Sequence, residues 1–233
     1  MPTVLTAPRT AVPPGPRPLR ILVDGLDLTG KTTLVDALLA HLAEQGVPAR
    51  RHRGMLAARH PLEQALDRLP VPWHRSSLVT AAHLFGGFAL DAVLARRPQH
   101  RDDAGADVVI QESYVDRTVA AGLAMGPYLP AVLALWAARC FPRFDLAVYL
   151  HAEPVVRRAR LQARDQADVD DGDRHTVEDE DFARRFDAVL LHHLGQRHGA
   201  VLVLDSGRHT PQTMAGLVLA RAGLAGETRA VGG

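Results

Sequence analysis

Between Arg20 and Thr33 a short apolar run, a glycine loop and the start of a helix follow one another without a break. The run Arg20 to Asp24 has the length and apolar content of a buried strand. The loop Gly25-Leu26-Asp27-Leu28-Thr29-Gly30-Lys31-Thr32-Thr33 fits G-x-x-x-x-G-K-[ST] at every fixed position. Leu34, Ala37, Leu38 and Leu42 then recur at helical spacing. Glycines at 25 and 30 let successive backbone N–H groups turn inward, so that the loop and the helix N-terminus face an anion. Lys31 would reach the β- and γ-phosphates and the Thr32 hydroxyl would ligate Mg²⁺. A turn that only caps a helix needs none of these side chains, so the pattern predicts an ATP-type triphosphate site with Mg²⁺.

The rest of the chain alternates strands and helices. Ala49 to Gly54 reads as a weak strand, Ala106 to Ile110 as a third, Leu146 to Leu150 as a fourth and Val201 to Leu204 as a fifth. Helices are expected over Pro61–Leu69, Ser76–Ala95, Asp116–Ala124, Tyr128–Arg139, Pro154–Arg164, Asp181–Gln196 and Pro211–Ala222. Asp165 to Asp179 reads as a long acidic loop. Such alternation implies a parallel sheet covered on both faces, with ligands bound outside the carboxyl ends of the strands. Gly25, Glu112 and His151 would all lie at that edge.

Charge and composition narrow the classes. With 27 basic and 26 acidic residues the net charge is +1, which gives no global attraction to nucleic acid or to a membrane surface. Arg50-Arg51-His52-Arg53 is basic but has no aromatic platform beside it, so no nucleic-acid partner is expected. No segment has the length of apolar chain needed to span a bilayer. Cys140 is the single cysteine, which excludes an internal disulfide and a cysteine metal site and sets a cytoplasmic compartment as the expectation. Residues 1–18, rich in proline, read as a disordered leader without an apolar export core; 19–225 reads as one domain, and 226–233 as a flexible tail.

Among nucleotide-binding classes, a GTPase would need an N-K-x-D segment, which the chain lacks. What it has is a basic helix followed by a charged loop, a lid of about 158–180. A lid that closes over triphosphate excludes water and protects ATP from hydrolysis, as a kinase requires.

From about Arg20 to Gly223 the chain resembles the thymidylate kinase family, within the nucleoside and nucleoside-monophosphate kinases. DGLDLTGKTT looks like that family's E-G-x-D-G-x-G-K-T-T loop. HLFGGFA sits where it has L-L-F-A-A-D-R, QESYVDRTVA corresponds to D-R-[YF]-x-x-S, and PRFDLAVYLHAEP resembles P-D-L-T-[LI]-[YL]-L-x-x-P. RLQAR and DRHTVEDEDF resemble the arginine lid, and VLVLDSGRHTPQTM the final strand and helix. The resemblance implies a three-layer α/β fold of the P-loop kinase type. Its five-stranded parallel sheet would be flanked by helices on both faces and carry an arginine-bearing lid. It also implies a homodimer that uses the long helix around Phe85 or its neighbour.

Roles follow for a phosphoryl transfer, which is mainly positioning plus charge neutralisation. Lys31 and Mg²⁺ supply part of the charge. Because Leu28 leaves the loop without an arginine, Arg160, Arg164 and Arg174 of the lid are the candidates for the rest. Glu112 would hold metal-bound water, or act as base toward a hydroxyl acceptor. The resemblance places Asp27 against the acceptor's sugar hydroxyl and Phe85 on its base, with Tyr114 and Thr118 nearby. Phe85 is equally well read as a core residue, and Asp116-Arg117 as a surface ion pair. Ser113 and Ala89 stand where the family has arginines, and anion clamps are not replaced by Ser or Ala without loss. The expected acceptor is therefore a nucleoside monophosphate, a nucleoside or another small hydroxyl compound; the competing reading is a relative that binds ATP without transferring phosphate.

Overall fold

The computed structural model describes residues 3–4, 17–54, 87, 89–90, 93, 105–124, 139, 141–165 and 171–224. Its elements are β1 (Thr3–Val4), β2 (Leu19–Asp24), α1 (Lys31–Glu44), β3 (Ala49–Arg53), β4 (Val108–Glu112), α2 (Val115–Ala124), β5 (Leu146–His151), α3 (Pro154–Ala163), α4 (Asp171–Glu178), α5 (Glu180–Arg197), β6 (Val201–Asp205) and α6 (Pro211–Arg221). The expected helix over Pro61–Leu69, all but Arg139 of Tyr128–Arg139, most of Ser76–Ala95, and Phe85 and Cys140 lie outside the described residues. Gly87, Ala89, Leu90 and Val93 are helical.

Five strands form a parallel sheet in the order β6-β5-β2-β4-β3, and β1 adds a two-residue antiparallel edge on β6. The expected α/β architecture is thus present. Thr3 and Val4, within the stretch expected to be a disordered leader, supply the sixth strand by pairing with Val203 and Leu202. β2, β4 and β5 are buried almost end to end, the signature of strands covered on both faces. β3 is an edge strand of basic residues in which His52 alone turns inward, and its charges blunt the exposed edge.

Each face of the sheet has its own apolar layer. α1 contributes Leu34, Val35, Leu38 and Leu42, and α6 contributes Met214, Ala215, Val218 and Leu219, against Ile21, Val23, Ile110, Val148 and Leu204. On the opposite face α2 and α5 bring Val115, Val119, Phe182, Phe186, Leu190 and Leu194 against Leu22, Ala147 and Tyr149. At about 25 cal/mol per Å² of apolar area removed from water, these two layers are the main stabilising contribution. α5 is started by Asp179, whose carboxylate accepts from the Phe182 N–H at 2.8 Å. Thr210 does the same for α6, accepting from Thr213 N–H at 3.2 Å with Pro211 in the first turn.

One expectation is corrected. The acidic stretch Asp165–Asp179 is not simply loop, because α4 occupies Asp171–Glu178. Its polar sequence hides the helix, yet Asp173, Thr176 and Val177 turn inward. The Thr176 carbonyl accepts from the buried Arg157 at 2.6 Å, so α3 supplies the partner that the helix needs. No described helix is long and apolar enough to cross a membrane.

Candidate functional site

The parallel order brings the carboxyl ends of β2, β4 and β5 together, with Val23 in register with Glu112 and Asp24 with Tyr149. The glycine loop leaves β2 there. Gly25 has φ 154°, and a Cβ at that position would stand 2.2 Å from the Leu150 carbonyl oxygen, so no other residue fits. Gly30 caps α1 at φ 89° in the left-handed region. The Thr29 hydroxyl, buried, donates to the Leu26 carbonyl at 2.8 Å and fixes the turn between them. Leu28 (φ 64°) and Ser113 (φ 53°) also adopt left-handed backbone. Such conformations cost a non-glycine residue about 1–3 kcal/mol and gather at functional sites.

The Thr32 hydroxyl donates to Glu112 Oε1 at 2.6 Å, linking the first turn of α1 to the end of β4. The other oxygen of Glu112 accepts from Arg51, which also binds Asp36 at 2.8 Å. Arg51 is in register with Ile110, two residues before Glu112, so the two side chains rise on the same sheet face. Thr32 is exposed while Glu112 is buried. Both carboxylate oxygens of Glu112 are thus engaged, one by Thr32 and one by Arg51. Among the described residues no group of three or more His, Cys, Asp or Glu side chains is arranged to hold a metal ion. A Mg²⁺ at Thr32 and Glu112 would need phosphate and water oxygens for the rest of its shell, the usual arrangement for that ion.

Lys31 lies against the loop. Its ammonium donates to the carbonyls of Gly25 at 3.1 Å and Leu26 at 2.6 Å and lies 3.5 Å from Asp27 Oδ1. Arg117 comes in from α2, donating to the same Gly25 carbonyl at 2.6 Å and to the other oxygen of Asp27. Its guanidinium lies over the Phe186 ring, 5.4 Å from the centroid. Burial and the charge of Arg117 bring Lys31 down to about 8, against the pull of Asp27 and Asp24. Burial alone would raise Asp27, but Arg117 and Lys31 hold it below the ordinary carboxylate value. Asp24, fully buried, is pushed up to about 6 by burial despite those two cations. Its Oδ1 accepts from Gly25 N–H at 2.8 Å, while Oδ2 has no hydrogen-bond partner.

The three arginines expected in a lid divide. Arg160 donates to the Leu28 carbonyl, to Ser206 Oγ and to the Ser206 carbonyl, each at 2.9 Å. It ties α3 to the glycine loop and to the turn after β6. Arg164, just past α3, pairs with Asp173 of α4, and Arg174 is exposed on α4. The structure brings Arg160 to the loop, while Arg164 is paired with Asp173 instead.

The acceptor candidates separate as well. Asp27 is at the loop's centre, but Tyr114 is packed in the core, edge-on to Phe141 and Phe144. Thr118 is half-buried on α2. Asp116 and Arg117 are not a surface ion pair: Asp116 is fully buried and bonded to Arg197 of α5, and only Arg117 faces the loop. His193 Nε2 and His198 Nε2 lie 3.3 and 3.4 Å from Asp116 Oδ1. His198 Nδ1 accepts from Phe144 N–H, which leaves its proton on the nitrogen facing the carboxylate.

Arg51 and Arg117 were missed as site residues by sequence reasoning. No protein-family model matches the chain, and no curated protein does.

Proposed function

We propose that the protein is an ATP- and Mg²⁺-dependent phosphotransferase of the thymidylate kinase-like type. It moves the γ-phosphoryl group of ATP to a nucleoside monophosphate, dTMP-like, or to a related small acceptor. The observation that carries the reading is the bond between Thr32 and Glu112, which unites the hydroxyl of the glycine-loop motif with an acid from the neighbouring parallel strand. Thr32 and Glu112 would hold Mg²⁺, which would supply positive charge to the phosphates that the loop N–H groups and Lys31 would bind. α3 and α4, joined by Arg157 and pinned to the loop by Arg160, supply the cover that keeps water from the phosphoryl group.

A hydroxyl acceptor with Glu112 as base is supported less, because Thr32 and Arg51 occupy the two oxygens that would take the proton. The test is a panel of nucleoside monophosphates, nucleosides and small alcohols incubated with ATP and Mg²⁺, with phosphorylated product and ADP measured together. Transfer to monophosphates with nucleosides inert supports the reading; transfer confined to nucleosides or alcohols moves the assignment to a hydroxyl kinase. ATP binding with no product from any acceptor identifies a regulator that binds nucleotide without transferring phosphate.

A further inference from the structure

Ser113 leaves the strand end without the arginine that the resemblance leads one to expect, and Leu28 leaves the loop without one. Two of the arginines expected in the lid do not fill the gap at Lys31. Arg160 is spent on three bonds to Leu28 and Ser206, and Arg164 on Asp173. The arginine that stands beside Lys31 comes instead from the first turn of α2. Arg117 and Lys31 share the Gly25 carbonyl and the two oxygens of Asp27. Two cations on one carbonyl and one carboxylate form a positive pair at the mouth of the loop.

Three features set Arg117 there. The left-handed Ser113 turns the chain sharply between β4 and α2, and its N–H is held by the Val23 carbonyl at 3.0 Å. Asp116, next in sequence, is anchored by Arg197 deep between α2 and α5. Phe186 of α5 supports the guanidinium plane. A side chain held this way loses little freedom when it meets an anion, and a planar fork suits phosphate oxygens.

Resting on the phosphotransferase reading above, we infer that Arg117 is a catalytic residue: it binds the phosphoryl group in transit, side by side with Lys31, in place of the arginines missing at Ser113 and Leu28. In the transfer, the bond from the β,γ-bridging oxygen of ATP to the γ-phosphorus breaks, and that oxygen keeps the electron pair as part of ADP. A bond forms from an anionic phosphate oxygen of the acceptor to the same phosphorus. Arg117 moves no proton; it exchanges Asp27 for the equatorial oxygens whose charge it neutralises.

The experiment compares wild type, Arg117→Ala and Arg117→Lys in single-turnover transfer of γ-phosphate from ATP-Mg²⁺. Binding of a non-hydrolysable ATP analogue and thermal unfolding are measured on the same samples. Arg117→Ala should lose about 10³-fold in kcat, the lower range for an arginine that neutralises phosphoryl charge. Its Tm and its affinity for the analogue should change little. Arg117→Lys should recover only part of the rate, and guanidinium added far below denaturing concentration should restore turnover to Arg117→Ala. A purely structural ion pair with Asp27 would give no such rescue. Wild-type kcat in Arg117→Ala, or a loss of rate matched by loss of Tm and of nucleotide affinity without rescue, overturns the inference and leaves the phosphotransferase reading standing. A wild-type protein that transfers phosphate to no acceptor overturns that reading, and the role of Arg117 with it.

Discussion

Thr32 and Glu112 meet at 2.6 Å although 80 residues separate them, and this contact closes the glycine loop against the strand beside it. If the pair holds Mg²⁺, Glu112→Gln keeps the shape and the bond to Thr32 but removes the charge. The expected outcome is a 10–100-fold rise in the Mg²⁺ concentration needed for half-maximal ATP binding, the usual cost of losing a group that orients a metal's shell. A magnesium titration at fixed ATP checks it.

Asp24 predicts an unusual gain. Its folded value of about 6 stands above the ordinary 3.8, so the folded state binds the extra proton between those limits. The stability that Asp24 contributes is full below about pH 4 and is lost as pH rises through 6. Above pH 6 the buried, half-satisfied carboxylate is a cost of up to about 3 kcal/mol, two pK units. Asp24→Asn keeps the acceptor for Gly25 N–H and should stabilise the protein at pH 7.5 but not at pH 4. Urea unfolding at the two pH values measures the difference.

Asp116 predicts the opposite sign. Burial alone would raise its carboxyl, but the imidazole of His198 and the charge of Arg197 hold it well below the ordinary 3.8. Its contribution is therefore full above about pH 4 and is lost as pH falls further. Asp116→Ala leaves Arg197 buried without its anion and should cost about 3–5 kcal/mol. Urea unfolding at pH 7 against wild type reads that loss directly.

Arg160 and Arg164 should behave differently although they lie one helical turn apart. Arg160→Ala removes three bonds that join α3, the loop and Ser206, and should weaken nucleotide binding by about 1.5–3 kcal/mol. Arg164 is nearly half exposed, so Arg164→Ala should cost no more than about 1 kcal/mol of stability. Parallel binding and unfolding measurements separate the two.

The strand, loop and helix from Leu19 to Glu44 were legible because every determinant is local: an apolar run, two glycines and leucines at helical spacing. The parallel sheet followed from the same logic, since β4, β5 and β6 each announce themselves as short apolar runs. α4 did not, because its partners are Arg157 of α3 and Arg164 just past the end of α3, which no local pattern reveals. Arg51 and Arg117 escaped for the same reason. Arg51 sits in a strand that reads as a basic patch, and reaches Glu112 only through the β3–β4 register, 61 residues away. Arg117 reaches Asp27 across 90 residues and reads in sequence as half of an adjacent ion pair. What that pair lacked was burial: Asp116 goes into the core and frees its neighbour to face the loop.

The central claim is that the glycine loop delivers a phosphoryl group and does not merely hold a nucleotide. Its most direct measurement follows the γ-phosphate of labelled ATP with Mg²⁺ and a panel of nucleoside monophosphates, for wild type and Lys31→Ala. The account predicts label in a phosphorylated acceptor with wild type, in equal amount to the ADP formed, and none with Lys31→Ala at unchanged fold. Label that stays on ATP, or appears only as inorganic phosphate whatever the acceptor, would contradict it.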